Sequence, residues 1–366
     1  MIYAGLFAVS FFVTVGATAL VRKCALHFDI TDKPTEARKI HTRPIPLLGG
    51  IAVFATLAIV VVVALFIPTS SHYLIDTHVT LKHIIGLLLG GLVLVVGGFL
   101  DDVYNLKPYH QIFFPILAAL VVIGSGIGVV TLTNPLGGTI DLTQIRYHLF
   151  TINGVPYYFT VWSDLLTFFW LLSTIYTTKF LDGLDGLVAG MAVIGCSVLL
   201  FISLFLFINI PTASLASIIG GAFAGFLIWN FNPAKIFLGE AGSTLTGYLL
   251  GILAIISGAK FATALLILGI PLLDAAHVIF QRLIIERRSP FRGDRKHIHF
   301  QLLDSGLTQR QAVGILYLLA IFFGYSALLL QSRQKVTMLL ALLLFMVILV
   351  VTVLRIKHIR QKKEHG

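Results

Sequence analysis

Apolar runs of about 20 residues recur from one end of this chain to the other, and a hydrocarbon layer of roughly 30 Å needs about that many residues for a helix to cross it. We read such helices at about residues 3–21, 49–67, 84–100, 111–132, 161–180, 187–209, 213–230, 244–258, 261–283, 312–330 and 337–354. With 57% hydrophobic and only 11% charged residues over 366 positions, little is left over for a separate soluble domain. The expected fold is an all-α polytopic membrane protein of about eleven transmembrane helices, with residues 1–366 forming one integral membrane domain.

An odd number of spans puts the termini on opposite sides. With the N-terminus outside, all but five of the 26 Lys and Arg fall on one face, the exceptions being Lys82, Arg146, Lys260, Arg333 and Lys335. The positive-inside rule makes the crowded face cytoplasmic, so the chain is expected in the inner (cytoplasmic) membrane with its C-terminus inside. The first run has Arg22-Lys23 after it and no basic residue before it, the reverse of a secretory signal, and should stay as an anchor. Cys24 and Cys196 form no metal-ligand spacing and no disulfide framework.

A net charge of +10 raises the question of nucleic acid, but the basic residues border helices and the tail at 355–366 adjoins a membrane end. Anionic lipid headgroups account for that pattern, and no nucleic-acid partner is expected. Residues 284–311 form a basic cytoplasmic loop. Residues 133–160 lie outside, and there Asn153-Gly154 between two β-prone runs predicts a small extracytoplasmic β-hairpin.

Carboxylates gather where spans meet the cytosol. Asp101-Asp102 closes an apolar run, and adjacent acids at a helix C-terminus oppose both one another and the helix dipole, an arrangement that a metal ion or a proton-transfer task would explain. Asp182-Gly-Leu-Asp185-Gly sets two acids three apart with glycines for a tight turn, though Asp-Gly is also ordinary turn chemistry. Glu240 starts the short eighth helix, where backbone N–H groups favour an anion such as phosphate, and Mg²⁺ is the natural bridge between the two. Gly247 and Gly251 in that helix are spaced for close packing. In Asp294-Arg-Lys-His297-Ile-His299, both imidazoles could point one way from an extended loop and, with Arg292, Arg295 and Lys296, make a basic surface for a phosphate-bearing substrate. Asp274, inside the ninth span, should either line the cleft or pair with a neighbouring helix. Acids holding Mg²⁺ beside a basic loop can bring a diphosphate and a lipid phosphate together for phosphoryl transfer.

The order of motifs resembles the polyprenyl-phosphate N-acetylhexosamine-1-phosphate transferase family of glycosyltransferase family 4 over about residues 30–310. The resemblance runs through His41-Thr-Arg-Pro-Ile-Pro, Gly98-Phe-Leu-Asp-Asp-Val103, Asp182-Gly-Leu-Asp-Gly-Leu187, Asn232-Pro-Ala-Lys-Ile-Phe-Leu-Gly-Glu-Ala-Gly-Ser243 and Asp294-Arg-Lys-His-Ile-His299. It implies transfer of a sugar 1-phosphate, N-acetylglucosamine 1-phosphate above others, from a UDP-sugar to undecaprenyl phosphate, with release of UMP, Mg²⁺ (or Mn²⁺) as cofactor, and membrane lipids or a second copy as further partners. By the same resemblance Asp101, Asp102, Asp182 and Asp185 are catalytic, one of the first pair being a candidate base for the lipid phosphate. Glu240 and Asp185 would hold metal, and Lys39, His41, Asn232, Lys235, Arg295, His297 and His299 would bind substrate, as would Lys179, which is no family residue but could supply a cation lost elsewhere. The chain departs from the pattern by Tyr176 and Lys179 in place of two asparagines, Glu240 in place of Asp, Phe300 in place of a final His, and Gln111 in place of a Lys. Alternatives are phospho-N-acetylmuramoyl-pentapeptide transfer, an ion-coupled transporter built around Asp274, and a silent scaffold.

Overall fold

The computed structural model describes every residue except 35–40, 68–70, 135–137, 153–154, 259–260, 288–294 and 366. Helices α1 (Ile2–His27), α2 (Gly49–Phe66), α3 (Leu81–Tyr104), α4 (Pro108–Gln111), α5 (Phe113–Gly124), α6 (Val161–Leu181), α7 (Leu187–Phe205), α8 (Ile210–Asn230) and α9 (Gly239–Ile256) follow in order. Then come α10 (Phe261–Phe280), continued by a π turn over Gln281–Ile285, and α11 (Ile298–Asp304), α12 (Gln309–Leu329) and α13 (Ser332–His365). Each of the eleven runs read as a span contains a helix, but the fourth, read as 111–132, is helical only to Gly124 and its end enters the strand Thr131–Thr133. Nine described helices are long and apolar enough to cross a membrane, which makes this a multi-pass membrane protein. The apolar helix Pro108–Gly124 is shorter, and α6 is the polar one of the set.

α6 is polar for a reason visible in its packing. Thr167, Thr174 and Thr178 are buried, and each hydroxyl donates to a carbonyl of its own helix, at 2.7, 3.0 and 3.1 Å. Small side chains satisfied in this way let α9 come close: a Cβ at Gly247 would meet the Thr174 carbonyl oxygen, and one at Gly251 would lie 2.6 Å from Thr174 Oγ1. The predicted glycine packing is thus realised against α6. On its other sides α9 lies against α2 and α3 at the same distance scale, because a Cβ at Gly50 would lie 2.7 Å from the Ala241 carbonyl carbon and one at Gly98 2.8 Å from Ala241 Cβ. The hydroxyl of fully buried Tyr248 links α9 to α3 through the carbonyls of Leu87 and Gly86, at 3.0 and 3.2 Å.

The strands are short. β1 (Thr31–Asp32) pairs with β2 (Ile45–Pro46), β3 (Thr131–Thr133) with β4 (Thr139–Asp141), and β5 (Arg146–Ile152) with β6 (Val155–Thr160), all antiparallel. The last pair is the predicted hairpin; its Asn153-Gly154 turn lies outside the described residues. β6 runs directly into α6, where Asp164 Oδ2 accepts the Thr160 N–H at 2.7 Å.

Chain direction alternates so that α1, α3, α6, α8 and α10 finish at one end of the bundle, while α2, α4, α7, α9 and α12 begin there. The connections at that end carry the acidic and basic motifs, and the β5–β6 hairpin sits at the other end.

Candidate active site

A cleft of about 1100 Å³ opens at the end where those connections meet. Asp101, Asp102, Asp182, Asp185 and Glu240 all line it, together with His41, Lys179, Asn232, Lys235 and His297. Side chains from separate connections have therefore been brought to one place.

Asp101 and Asp102 sit in the last turn of α3 rather than beyond it, and each has a donor that offsets the unfavourable helix end. Asp101 Oδ1 accepts from the Leu106 N–H at 2.8 Å and from Gln111 Nε2 at 2.9 Å. Asp102 Oδ1 accepts from the Glu240 N–H at 2.9 Å, a donor left free by the first turn of α9. The approach depends on Gly239, which has φ +70 and whose Cβ position Asp102 Oδ2 would overlap. That second oxygen of Asp102 is buried without a partner.

Asp185 is held from the α8–α9 connection: its Oδ2 accepts from Asn232 Nδ2 at 2.9 Å and from the Ala234 N–H at 3.0 Å. Asn232 Nδ2 also reaches Gln309 Oε1 at 2.7 Å, and Asn232 precedes a cis peptide to Pro233. Buried Asn230 clamps the same region, accepting from the Gly186 N–H at 3.1 Å and donating to the Ile236 carbonyl at 2.9 Å. Asp182 caps α6 and keeps contact with the water of the cleft. Its carboxyl is pushed up to about 7, first by the protein crowded around it and then by the charges of Glu240 and Asp185.

Opposite the acids, His297 is fixed by a residue from inside the ninth span. Asp274 Oδ2 lies 2.9 Å from His297 Nδ1, and Asp274 Oδ1 accepts the Ile298 N–H at 2.8 Å. The carboxylate takes Nδ1 and leaves Nε2 as the imidazole's free position. Of the two outcomes expected for Asp274, pairing is the one observed. Lys235 lies over the Trp229 ring, 5.6 Å from its centroid, and His41 Nε2 is 3.6 Å from Asp32 Oδ2.

Two expectations are corrected. His299 does not share a basic surface with His297, because α11 begins at Ile298 and folds the ring inward. It is fully buried against Gly183 with neither nitrogen hydrogen-bonded, and burial pushes its imidazole down to about 3, so it is neutral. Arg295 is not on the cleft wall either: its guanidinium pairs with Asp304 at 2.8 Å and stacks over Phe300. Lys39, Arg292 and Asp294 lie outside the described residues. Among wall residues the sequence did not single out are Arg22, Asp32, Arg43 and Arg282. Arg22 and Arg282 read only as charges near helix ends, and Asp32 and Arg43, in and beside the β1–β2 pair, carried no site signal of their own.

The acids suit a divalent cation. Asp102 Oδ2 is an orphaned buried oxygen, and Asp102 feels the charges of Glu240, Asp101 and Asp182. Among the described residues no three His, Cys, Asp or Glu side chains form a ready-made metal cage. Mg²⁺ does not require one, since it takes one or two carboxylates and completes its shell with substrate phosphates and water.

Comparison with known proteins bears on the same residues. The model of glycosyl transferase family 4 matches residues 84–258. The chain is 31% identical over 332 residues to decaprenyl-phosphate N-acetylglucosaminephosphotransferase of Mycolicibacterium smegmatis, covering 84% of this chain and 76% of that protein. It is 29% identical over 336 residues to a probable undecaprenyl-phosphate N-acetylglucosaminyl 1-phosphate transferase of Bacillus subtilis, covering 89% and 84%. To undecaprenyl-phosphate alpha-N-acetylglucosaminyl 1-phosphate transferase of Escherichia coli K12 it is 27% identical over 345 residues, covering 89% and 83%. An all-α membrane bundle with these motifs converging on one cleft, and relatives alike over most of their length, place the chain in glycosyl transferase family 4, among the polyprenyl-phosphate N-acetylhexosamine-1-phosphate transferases.

Proposed function

We propose that this protein transfers N-acetylglucosamine 1-phosphate from UDP-N-acetylglucosamine to a polyprenyl phosphate, releasing UMP and leaving the sugar on a lipid diphosphate. The observation that carries the reading is the meeting of Asp101 and Asp102 from the end of α3, Asp182 and Asp185 from the α6–α7 connection and Glu240 from the start of α9 in one cleft at a single end of the bundle. A transporter would be expected to hold its acids at mid-membrane. Asp274, the one acid deep in a span that prompted that alternative, is engaged by His297 instead.

In the proposed reaction an oxygen of the lipid phosphate attacks the β-phosphorus of the donor. A new P–O bond forms as the bond from that phosphorus to the bridging oxygen breaks, and UMP departs with the bridging oxygen. Asp101 and Asp102, braced by Leu106, Gln111 and Glu240, are the candidate bases that keep the attacking phosphate deprotonated. Asp185 is aimed by Asn232 and Ala234, and His297 by Asp274, so these side chains meet the donor without first having to be ordered. Mg²⁺, held by Glu240 with Asp102 or Asp185, would neutralise charge on the phosphates. The excess of Lys and Arg in connections at the cleft end supports a cytosolic opening in the cytoplasmic membrane.

The test is a transfer assay with purified protein, labelled UDP-N-acetylglucosamine and undecaprenyl phosphate. Lipid-linked product and an equal amount of UMP are expected, and both should disappear on chelation of divalent cations. No product from any UDP-N-acetylhexosamine, the muramoyl-pentapeptide donor included, would sink the proposal.

A further inference from the structure

One cation stands among the acids rather than opposite them. Lys179, one helical turn before Asp182 on α6, places its ammonium 2.5 Å from Glu240 Oε1 and donates to Gln111 Oε1 at 2.8 Å. Both members of the ion pair are mostly enclosed, each side chain about 19% exposed. Gln111 passes the connection on to Asp101 Oδ1 at 2.9 Å, and the Glu240 N–H passes it to Asp102 Oδ1. The ammonium therefore sits at the centre of a network that reaches Glu240, Asp101 and Asp102, three of the six acids lining the cleft.

This matters because Glu240 is the carboxylate assigned above to a divalent cation. Mg²⁺ binds carboxylate oxygens at about 2.0–2.1 Å and keeps a full shell of ligands around it. An ammonium within hydrogen-bond distance of the same oxygen would intrude on that shell, and two cations a few ångström apart in a partly enclosed cleft repel strongly. Gln111 offers the displaced ammonium a second acceptor, so Lys179 can leave Glu240 without losing every partner.

We propose that Lys179 is a resident counter-ion that competes with the divalent cation for Glu240, so that metal enters by displacing the ammonium onto Gln111. The inference rests on the reading that the cleft works with a divalent cation. It makes Lys179 a residue that sets metal affinity, and it explains how an empty cleft tolerates so many carboxylates.

Mn²⁺ binding to the purified full-length protein, followed by the paramagnetic resonance of the free ion, tests this directly. Lys179→Met should tighten Mn²⁺ binding about tenfold or more, the scale on which one charge within 4–6 Å acts on a carboxylate. Lys179→Arg, which keeps the charge, should stay near the wild type. In a Glu240→Gln background, removing Lys179 should change affinity by less than about threefold, because the contact being contested is gone. An unchanged or weakened affinity in Lys179→Met overturns the proposal. So does equal tightening with and without Glu240, which would mark a general charge effect, and so does a failure of every variant to bind Mn²⁺. Thermal unfolding and size exclusion check folding, and Lys179→Gln replaces the Met variant where that one does not fold. Transfer assays on the same preparations keep the two readings apart. Transfer without the linkage overturns only the role of Lys179, and the linkage without transfer overturns only the reaction.

Discussion

Gly98→Ala should damage the enzyme from a position that touches no substrate. A Cβ on Gly98 would overlap the Cα and N of Ala241 and lie 2.8 Å from its Cβ, with backbone on the far side of the contact. Ordinary carbon contact begins near 3.4–4 Å, so α3 and α9 must separate by about 1 Å. Overpacking of this kind costs about 1–3 kcal/mol. Asp102 stands one turn further along α3, and the 2.9 Å bond to the Glu240 N–H would open with the helices, removing a charge-assisted bond worth about 1.5–3 kcal/mol. A displacement of about 1 Å in the groups that position a reaction can cost roughly 100-fold in rate. We therefore expect a transfer rate lower by about two orders of magnitude, and a lower unfolding temperature. Initial rates of UMP release and a thermal melt in detergent measure the two. Gly314→Ala is the control: nothing lies within 4 Å of its Cβ position in α12, so it should be neutral or stabilising by about 0.4–1 kcal/mol. If Gly98→Ala kept a rate within about threefold of wild type, less than about 0.7 kcal/mol of barrier, the argument from close helix approach would be wrong.

Asp274→Asn should lower transfer by about 10- to 100-fold and shift its pH profile, since His297 would lose the carboxylate that fixes its tautomer; a profile superimposable on wild type would show that the pairing only supports the fold. Asn230→Ala leaves the Gly186 N–H and the Ile236 carbonyl buried without partners, and should lower stability by about 2–5 kcal/mol in denaturant titration. Asp182 titrates near 7 when folded and near 3.8 when unfolded, so the unfolded chain releases this proton first. Without metal, its contribution to stability is therefore greatest below about pH 4 and is lost as pH rises towards 7, while affinity for a divalent cation should climb through the same window. Melts and Mn²⁺ titrations across pH on Asp182→Asn, which should flatten both trends, provide the check.

Much of the bundle was legible because hydrophobic length is a direct statement about the membrane. Helix ends were less so. Asp101-Asp102 looked like a stop, yet α3 continues to Tyr104 because Leu106 and Glu240 supply donors that a local reading does not see. α13 runs on to His365 past its apolar stretch, since Lys, Arg and Gln are good helix formers in water as well. The acids were found by their placement at span ends. Their partners were not, because hydrogen bonds such as Asn232 to Asp185 join segments distant in sequence. The burial of His299 was hidden for a similar reason: a two-residue spacing suggests a shared face only if the backbone is extended, and Ile298 instead starts a helix.

The β5–β6 hairpin has a mechanical consequence. It is continuous with α6, whose 21 residues form a rod of about 30 Å that ends at Lys179 and Asp182. Torque or tension applied to the hairpin by an antibody fragment would travel down that rod to the reacting end, giving a handle for remote inhibition that never has to compete with nucleotide. A fragment that gripped the strands firmly and left turnover untouched would show the rod to be slack.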